Sequence, residues 1–257
     1  MVAQATADAE EGSVKADEWA NVQMIPAHGS RKIFTTNVDT GAAVSFEWAT
    51  IGATRQGQLL GADAADGQLR LNYLRGDPAK ERKNNGPFRT RNKRLGDIIN
   101  SAPLYVGKPP FLYTESSYVT FREQNDTAAE RPPMIYVGAN DGMLHAFNAT
   151  TGVEQFAFIP GAVFKKLHHL TSPNYDHQYY VDGSPTMGDA FFGSAWHTML
   201  VGGLNKGGQG VYALDVTDPD QDQPKNMYKW EFTDADDPDL RYTFSRPPIT
   251  KVREGTR

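Results

Sequence analysis

An all-β fold made of a repeated four-stranded antiparallel unit is what the sequence predicts, and three observations carry the prediction. Residues 134–158, MIYVGANDGMLHAFNATTGVEQFAF, hold three short β-prone runs parted by two turns rich in Gly, Asn, Asp and Thr. A second copy follows: Thr198–Gly203, Val211–Thr217 and Lys229–Phe232 repeat the order of runs, while the turns between them lengthen. A Ser-Pro element opens each unit, at Ser101-Ala102-Pro103 and Ser184-Pro185, and a third stands at Ser245-Arg246-Pro247. Four strands per unit, recurring about every 60–80 residues, is how β-propeller blades look in sequence. The chain therefore reads as a partial β-propeller: about two complete blades near 96–159 and 181–233, pieces of others, and a further blade begun at 245. Closure would take about four blades or more.

Composition agrees and narrows the function. The 257 residues include 24 Gly and 16 Pro, gathered at the turns, with 39% hydrophobic and 22% charged residues, which suits a globular β protein. A formal net charge of −5 argues against nucleic acid as a partner. No apolar run of about 18 residues exists to span a membrane. The absence of cysteine removes disulfides, thiolate metal sites and cysteine nucleophiles together.

Taken in order, residues 1–30 are Ala-rich and acidic, lack an export signal, and read as a loosely ordered lead-in; the propeller region is 31–257. Residues 31–36 and 43–48 read as two strands around the turn Asn37–Gly41, the outer pair of an earlier blade. Between Thr54 and Leu74 the spacing of Leu59, Leu60, Leu69 and Leu71 predicts one or two short helices broken near Gly67. Residues 75–93 are polar, basic and interrupted by Pro78, Gly86 and Pro87, which predicts a long surface loop. Residues 108–130 read as an insertion anchored by Phe111, Tyr113, Tyr118 and Phe121 with a soft polar tip at 124–130, and residues 160–180 as a second insertion with one or two helical turns. In propellers such rim insertions are where recognition sits.

Candidate sites are few. Arg75-Gly76-Asp77 is an integrin-type tripeptide on the predicted loop, although Arg75 could equally pair with an acidic neighbour. Asp218, Asp220 and Asp222 alternate as the oxygen ligands of a calcium loop do, but Gln223 stands where such a loop needs glycine and Pro219 stiffens its start. A solvated turn is the better reading, as it is for Asp234, Asp236, Asp237 and Asp239. His168, His169 and His177 with Asp176 and Asp182 show no metal-ligand spacing, and His145 reads as a satisfied sheet residue. The basic group Arg89, Arg91, Lys93 and Arg94 lacks interleaved aromatics and reads as a solvated loop. No nucleophile elbow, P-loop or paired catalytic carboxylates stand out.

The runs YLRGD (73–77), RLGDIINSAPLYVG (94–107), MIYVGANDGMLHAFNATTG (134–152), LTSPNYDHQYYVDGSP (170–185) and LVGGLNKGGQGVYALDVTDP (200–219) together resemble the C-terminal propeller of the PilC/PilY family of type IV pilus tip-associated adhesins. The resemblance covers about residues 30–257. It implies a non-catalytic, extracellular protein at the pilus tip or outer membrane. Its implied partners are pilin subunits or minor pilins and a host-cell receptor or surface, and its roles are pilus extension, retraction control and twitching motility. It also implies calcium binding in the full-length family protein, on an Asp-rich loop of a later blade, with no calcium site firmly placed in this chain. The run at 136–152 also resembles the blade repeat of quinoprotein dehydrogenases, which implies as the alternative an enzyme holding pyrroloquinoline quinone.

Overall fold

The computed structural model describes residues 25–60 and 67–250. Most of the expected lead-in, residues 1–24, lies outside the described residues, as do 61–66 and 251–257. Two sheets dominate. In the first, β3 (Leu104–Val106), β4 (Met134–Gly138), β5 (Leu144–Asn148) and β6 (Glu154–Phe158) form an antiparallel meander. In the second, β7 (Thr186–Phe192), β8 (Ala195–Gly203), β9 (Gly210–Asp215) and β10 (Tyr228–Thr233) repeat that order. These are the two four-stranded blades that the repeat predicts.

The first sheet carries two more strands, and here the expectation of an earlier blade is corrected. β1 (Ile33–Thr36) and β2 (Ala43–Ser45) pair with each other, and β1 lies parallel to β6, with Ile33 opposite Ala157 and Phe34 opposite Phe158. The hairpin closes the outer edge of the first blade, which satisfies backbone groups that an edge strand leaves open. The predicted strand at 245–250 does not form. Pro247 and Pro248 remove two ladder donors, and the segment lies along β7 instead, with Thr186 Oγ1 donating to the Pro247 carbonyl at 2.6 Å.

α1 (Gly52–Leu60) and α2 (Gly67–Arg75) fall where the leucine spacing put them, whereas α3 (Ser116–Glu123) and α4 (Asp126–Ala129) form where the sequence showed only aromatic anchors and a polar tip, and α5 (Gly161–Phe164) is the helical turn of the 160–180 insertion. α3 and α4 belong to the 108–130 insertion, whose aromatic anchors gather round Trp196 of β8; the Tyr118 and Trp196 rings are 4.8 Å apart, edge to face. β8 enters from a two-residue turn, Gly193-Ser194, both with positive φ, the geometry that matches the twist of a tight hairpin.

β4 is buried on both sides, which explains its unbroken apolar run. Tyr136 faces the main core between the sheets, while Ile135 and Val137 pack with Phe147 under Leu95 and Ile98. Across the main core, Phe158 of the first sheet meets Tyr212 of the second at 5.4 Å and Tyr228 at 6.2 Å between ring centres. The outer face of the second sheet is less complete: Met199, Val201 and Ala213 are covered in part by Ile249, but Trp230 and Phe232 remain 45% and 41% exposed.

The connection from one blade to the next runs through 181–185, pressed against backbone on both sides. A Cβ on Gly183 would stand 2.1 Å from the Gly203 carbonyl oxygen, so only glycine fits. Gly183→Ala is expected to cost about 3 kcal/mol, the upper end of the usual overpacking penalty. Urea denaturation checks this, and an unchanged midpoint would mean that the strands can move apart freely.

Candidate functional site

The predicted tripeptide is a helix ending. α2 buries Leu71, Tyr73 and Leu74, and stops because Gly76 takes φ +110°. The Gly76 N–H then donates to the Tyr73 carbonyl at 2.8 Å and the Asp77 N–H to the Asn72 carbonyl at 3.0 Å, the paired bonds of a Schellman cap. Arg75, expected on an open loop, is turned inward and 8% exposed. Its guanidinium donates to the carbonyls of His28, Arg31 and Phe46 at 2.9–3.0 Å. Asp77 closes its own turn, accepting from the Ala79 N–H at 2.9 Å. The residues that look like a recognition motif in sequence are a helix stop and an internal strut in the fold.

Arg75 is one end of a buried polar chain. Arg31 donates to the Arg75 carbonyl at 2.9 Å and grips both oxygens of Glu154, Nε at 2.7 Å and Nη2 at 2.8 Å. Glu154 Oε1 faces His145 Nδ1 at 2.7 Å, and His145 Nε2 faces both Asp141 oxygens at 3.1 Å. Asp141 also accepts from the Gly96 N–H at 2.9 Å. Burial pushes the His145 imidazole down, but the Asp141 charge and bonds to both carboxylates outweigh it and raise it to about 9, so the ring is protonated at neutral pH. Burial raises Glu154, yet the His145 bond and the Arg31 charge hold it down at about 2. The expected satisfied sheet histidine is thus the centre of a charged strut joining the β4–β5 turn to the end of α2.

A second polar seam, which the sequence reading did not single out as a contact, joins the blades. Asp182, 1% exposed, accepts from the Asn100 N–H at 3.2 Å and from its side-chain amide at 2.8 Å. Ser101 Oγ donates to the Gly183 carbonyl at 3.0 Å and accepts from the Gly138 N–H at 2.9 Å, while the Ala102 N–H donates to Ser184 Oγ at 2.8 Å. The opening elements of the two repeats, Asn100-Ser101-Ala102-Pro103 and Asp182-Gly183-Ser184-Pro185, are hydrogen-bonded position to position.

On the opposite flank Glu231 of β10 bridges to the first blade. Its Oε1 accepts from the Gly161 N–H at 2.6 Å and its Oε2 from Thr36 Oγ1 at 3.2 Å. Burial lifts this carboxyl to about 7, against the Gly161 bond and the Arg55 charge, which favour ionisation. A raised carboxyl pKa means that folding prefers the protonated form. The contribution is complete below the ordinary value of 4.5 and is lost as pH rises through about 7. Wild type is expected to lose up to about 3 kcal/mol relative to Glu231→Gln between about pH 5 and pH 8. A difference between the two proteins that stays constant over that range in urea denaturation would rule out the protonated clasp.

The acidic side chains of the turns are engaged locally. Asp218 Oδ1 accepts from the Asp220 N–H at 3.2 Å, Asp220 bonds to Gln155, and Asp222, fully exposed, faces Lys32 at 3.9 Å. Asp236 accepts from the Thr233 N–H at 2.8 Å and Asp237 from the Asp239 N–H at 2.9 Å. The His168 and His169 rings lie 4.0 Å apart and tilted, whereas His177 faces Asp97 at 2.8 Å and Asp182 serves the seam. Among the described residues no three His, Asp or Glu side chains come together as a metal site, and no helix is long and apolar enough to cross a membrane.

The family model of the PilY1 β-propeller domain matches residues 95–257, from just before β3 through both blades. The type IV pilus biogenesis factor PilY1 of Pseudomonas aeruginosa strain PAK is 47% identical over 241 residues, which is 88% of this chain and 20% of that protein. A PilY1 homolog of Xylella fastidiosa strain Temecula1 is 47% identical over 194 residues, 72% of this chain and 15% of its own length. The chain therefore spans about a fifth or less of the curated relatives it matches. Among solved structures, the Pseudomonas aeruginosa PilY1 C-terminal domain is 45% identical, with a TM-score of 0.46 over 58% of this chain and 29% of that one.

Proposed function

The chain belongs to the PilY1 β-propeller family, and on that premise we propose that it acts in type IV pilus biogenesis as a non-catalytic, extracellular propeller platform at the pilus tip or outer membrane. The observation that supports this reading is that the family match runs unbroken through both blades and the seam joining them. Its partners in this reading are pilin or minor pilin subunits, and a host-cell or inert surface. Removing the coding segment for this chain in its host is expected to abolish surface pili, measured as pilin sheared from cells, with recovery on complementation. Normal piliation without the segment would overturn the reading.

We assign adhesion to the rim insertions rather than to Arg75-Gly76-Asp77, whose arginine supports the fold. Leu112 supports this placement: it is 85% exposed on the 108–130 insertion, between Phe111 and Tyr113 in sequence, whose rings stack on each other. Leu112→Ser is expected to lower surface attachment several-fold while surface pilin stays constant; equal attachment of the two strains would move adhesion elsewhere. Calcium responsiveness, in this reading, belongs to the longer protein, which is in keeping with the acidic side chains of the described residues each finding separate local partners.

A further inference from the structure

Beside the α2 ending lies a cleft of about 70 Å³ into which Arg89, Arg91, Lys93 and Arg94 all reach. The aromatic companions that the basic segment lacks in sequence arrive from other parts of the chain. Arg91 lies 3.5 Å over the Tyr73 ring and Arg89 lies 4.2 Å over the Tyr175 ring. The four cations are not equivalent. Arg91 is consumed: Nε donates to Glu81 at 3.0 Å, Nη1 to the Tyr73 carbonyl at 2.7 Å and Nη2 to the Asp77 carbonyl at 3.2 Å. Arg94 is anchored by two uncharged acceptors, the Ile25 and Pro26 carbonyls at 3.1 and 3.2 Å, so its charge is not neutralised.

Arg89 is in a different state. Its Nε is buried without a hydrogen-bond partner, and its guanidinium joins no ion pair among the described residues. The acidic side chains lining the cleft do not answer it. Asp97 accepts from the Asn140 amide at 3.0 Å and faces His177, and Asp141 is held by His145 and Gly96. An orphaned buried donor ordinarily costs about 1–3 kcal/mol, and a guanidinium held over an aromatic ring keeps its charge while its planar fork of donors is restrained. The local excess of cations arises on a chain whose net charge is −5.

We propose that this cleft is an oxyanion site, in which Arg89 holds a carboxylate or phosphate group of a ligand while exposed Lys93 and anchored Arg94 supply charge. The volume accommodates one such group. The site is independent of the pilus reading, since it rests on the residues lining the cleft.

The test is a titration of the full chain with sodium phosphate and, separately, with sodium acetate, at ionic strength held constant with sodium chloride. The arginine Nε–H signals are followed by ¹⁵N–¹H NMR. The Arg89 signal is expected to move to saturation with at least one of the two anions. Binding should weaken about tenfold in Arg89→Gln and several-fold in Lys93→Gln. Saturation by phosphate alone assigns a phosphoryl group, by acetate alone a carboxylate, and by both a general oxyanion site. Unsaturable drift with both anions, or equal affinity in the wild type and the variants, overturns the proposal. Lys93 is exposed, so Lys93→Gln decides the matter even if Arg89→Gln does not fold.

Discussion

Glu154→Ala is expected to destabilise the protein by about 3–5 kcal/mol, the range for breaking one partner out of a buried ion pair. Glu154 is 4% exposed and neutralises two cations, Arg31 and His145, neither of which has water to fall back on. Its removal leaves Arg31 charged and buried beside Arg75. His145 keeps only Asp141, so its proton should leave at lower pH than in the wild type. In the wild type the histidine contribution is full below the ordinary value of 6.5 and is lost as pH rises through about 9. The variant should therefore show less loss of stability between neutral and alkaline pH. Replacing Arg31, Asp141, His145 and Glu154 together by uncharged residues of similar volume should recover much of the stability, because these four positions then no longer desolvate charge. A Glu154→Ala protein within about 0.5 kcal/mol of wild type would mean that the strut is not closed to solvent.

Phe158→Ala is expected to cost a similar amount, about 3–5 kcal/mol, and to change the way the chain unfolds. Phe158 is fully buried, pairs with Phe34 across the parallel β1–β6 contact at 4.9 Å, and meets Tyr212 and Tyr228 of the other sheet. It is the side chain through which β1, the first blade and the second blade share one core. Truncation should loosen the blades from each other, so the urea dependence of unfolding should become shallower or split into two steps. A single transition with unchanged slope and a small shift in midpoint would show that the Asn100–Asp182 seam holds the blades without the aromatic contact.

Much of this architecture was written locally. Strands β4, β5 and β6 and their counterparts β8, β9 and β10 are short apolar runs between turns whose glycines and asparagines take positive or tight conformations, and the second copy repeated the signal. The helices at 52–60 and 67–75 announced themselves by leucine spacing. What stayed hidden depends on long-range contact. The parallel pairing of β1 with β6 joins residues more than a hundred positions apart and leaves no mark in either segment. The missing strand at 245–250 was marked by the repeat, but its two prolines outweighed it.

The candidate sites show the same division. Arg75-Gly76-Asp77 reads as an exposed motif because composition suggests solvent, whereas the carbonyls that draw Arg75 inward come from residues 28, 31 and 46. Glu154 and Glu231 drew no notice in the sequence, since alternation along a strand does not reveal that a second layer covers it. The seam was legible in principle: two opening elements of like spelling, Asn-Ser-Ala-Pro and Asp-Gly-Ser-Pro, carry donors and acceptors in matching places.

That position-to-position bonding between the opening elements separates two properties that usually trade against each other. The alignment of one blade with the next is fixed at a few inner residues, so the outer excursions between strands can grow, shrink or change composition without shifting it. A lineage of such proteins can therefore diversify what it touches at the periphery while inheriting an unaltered hub.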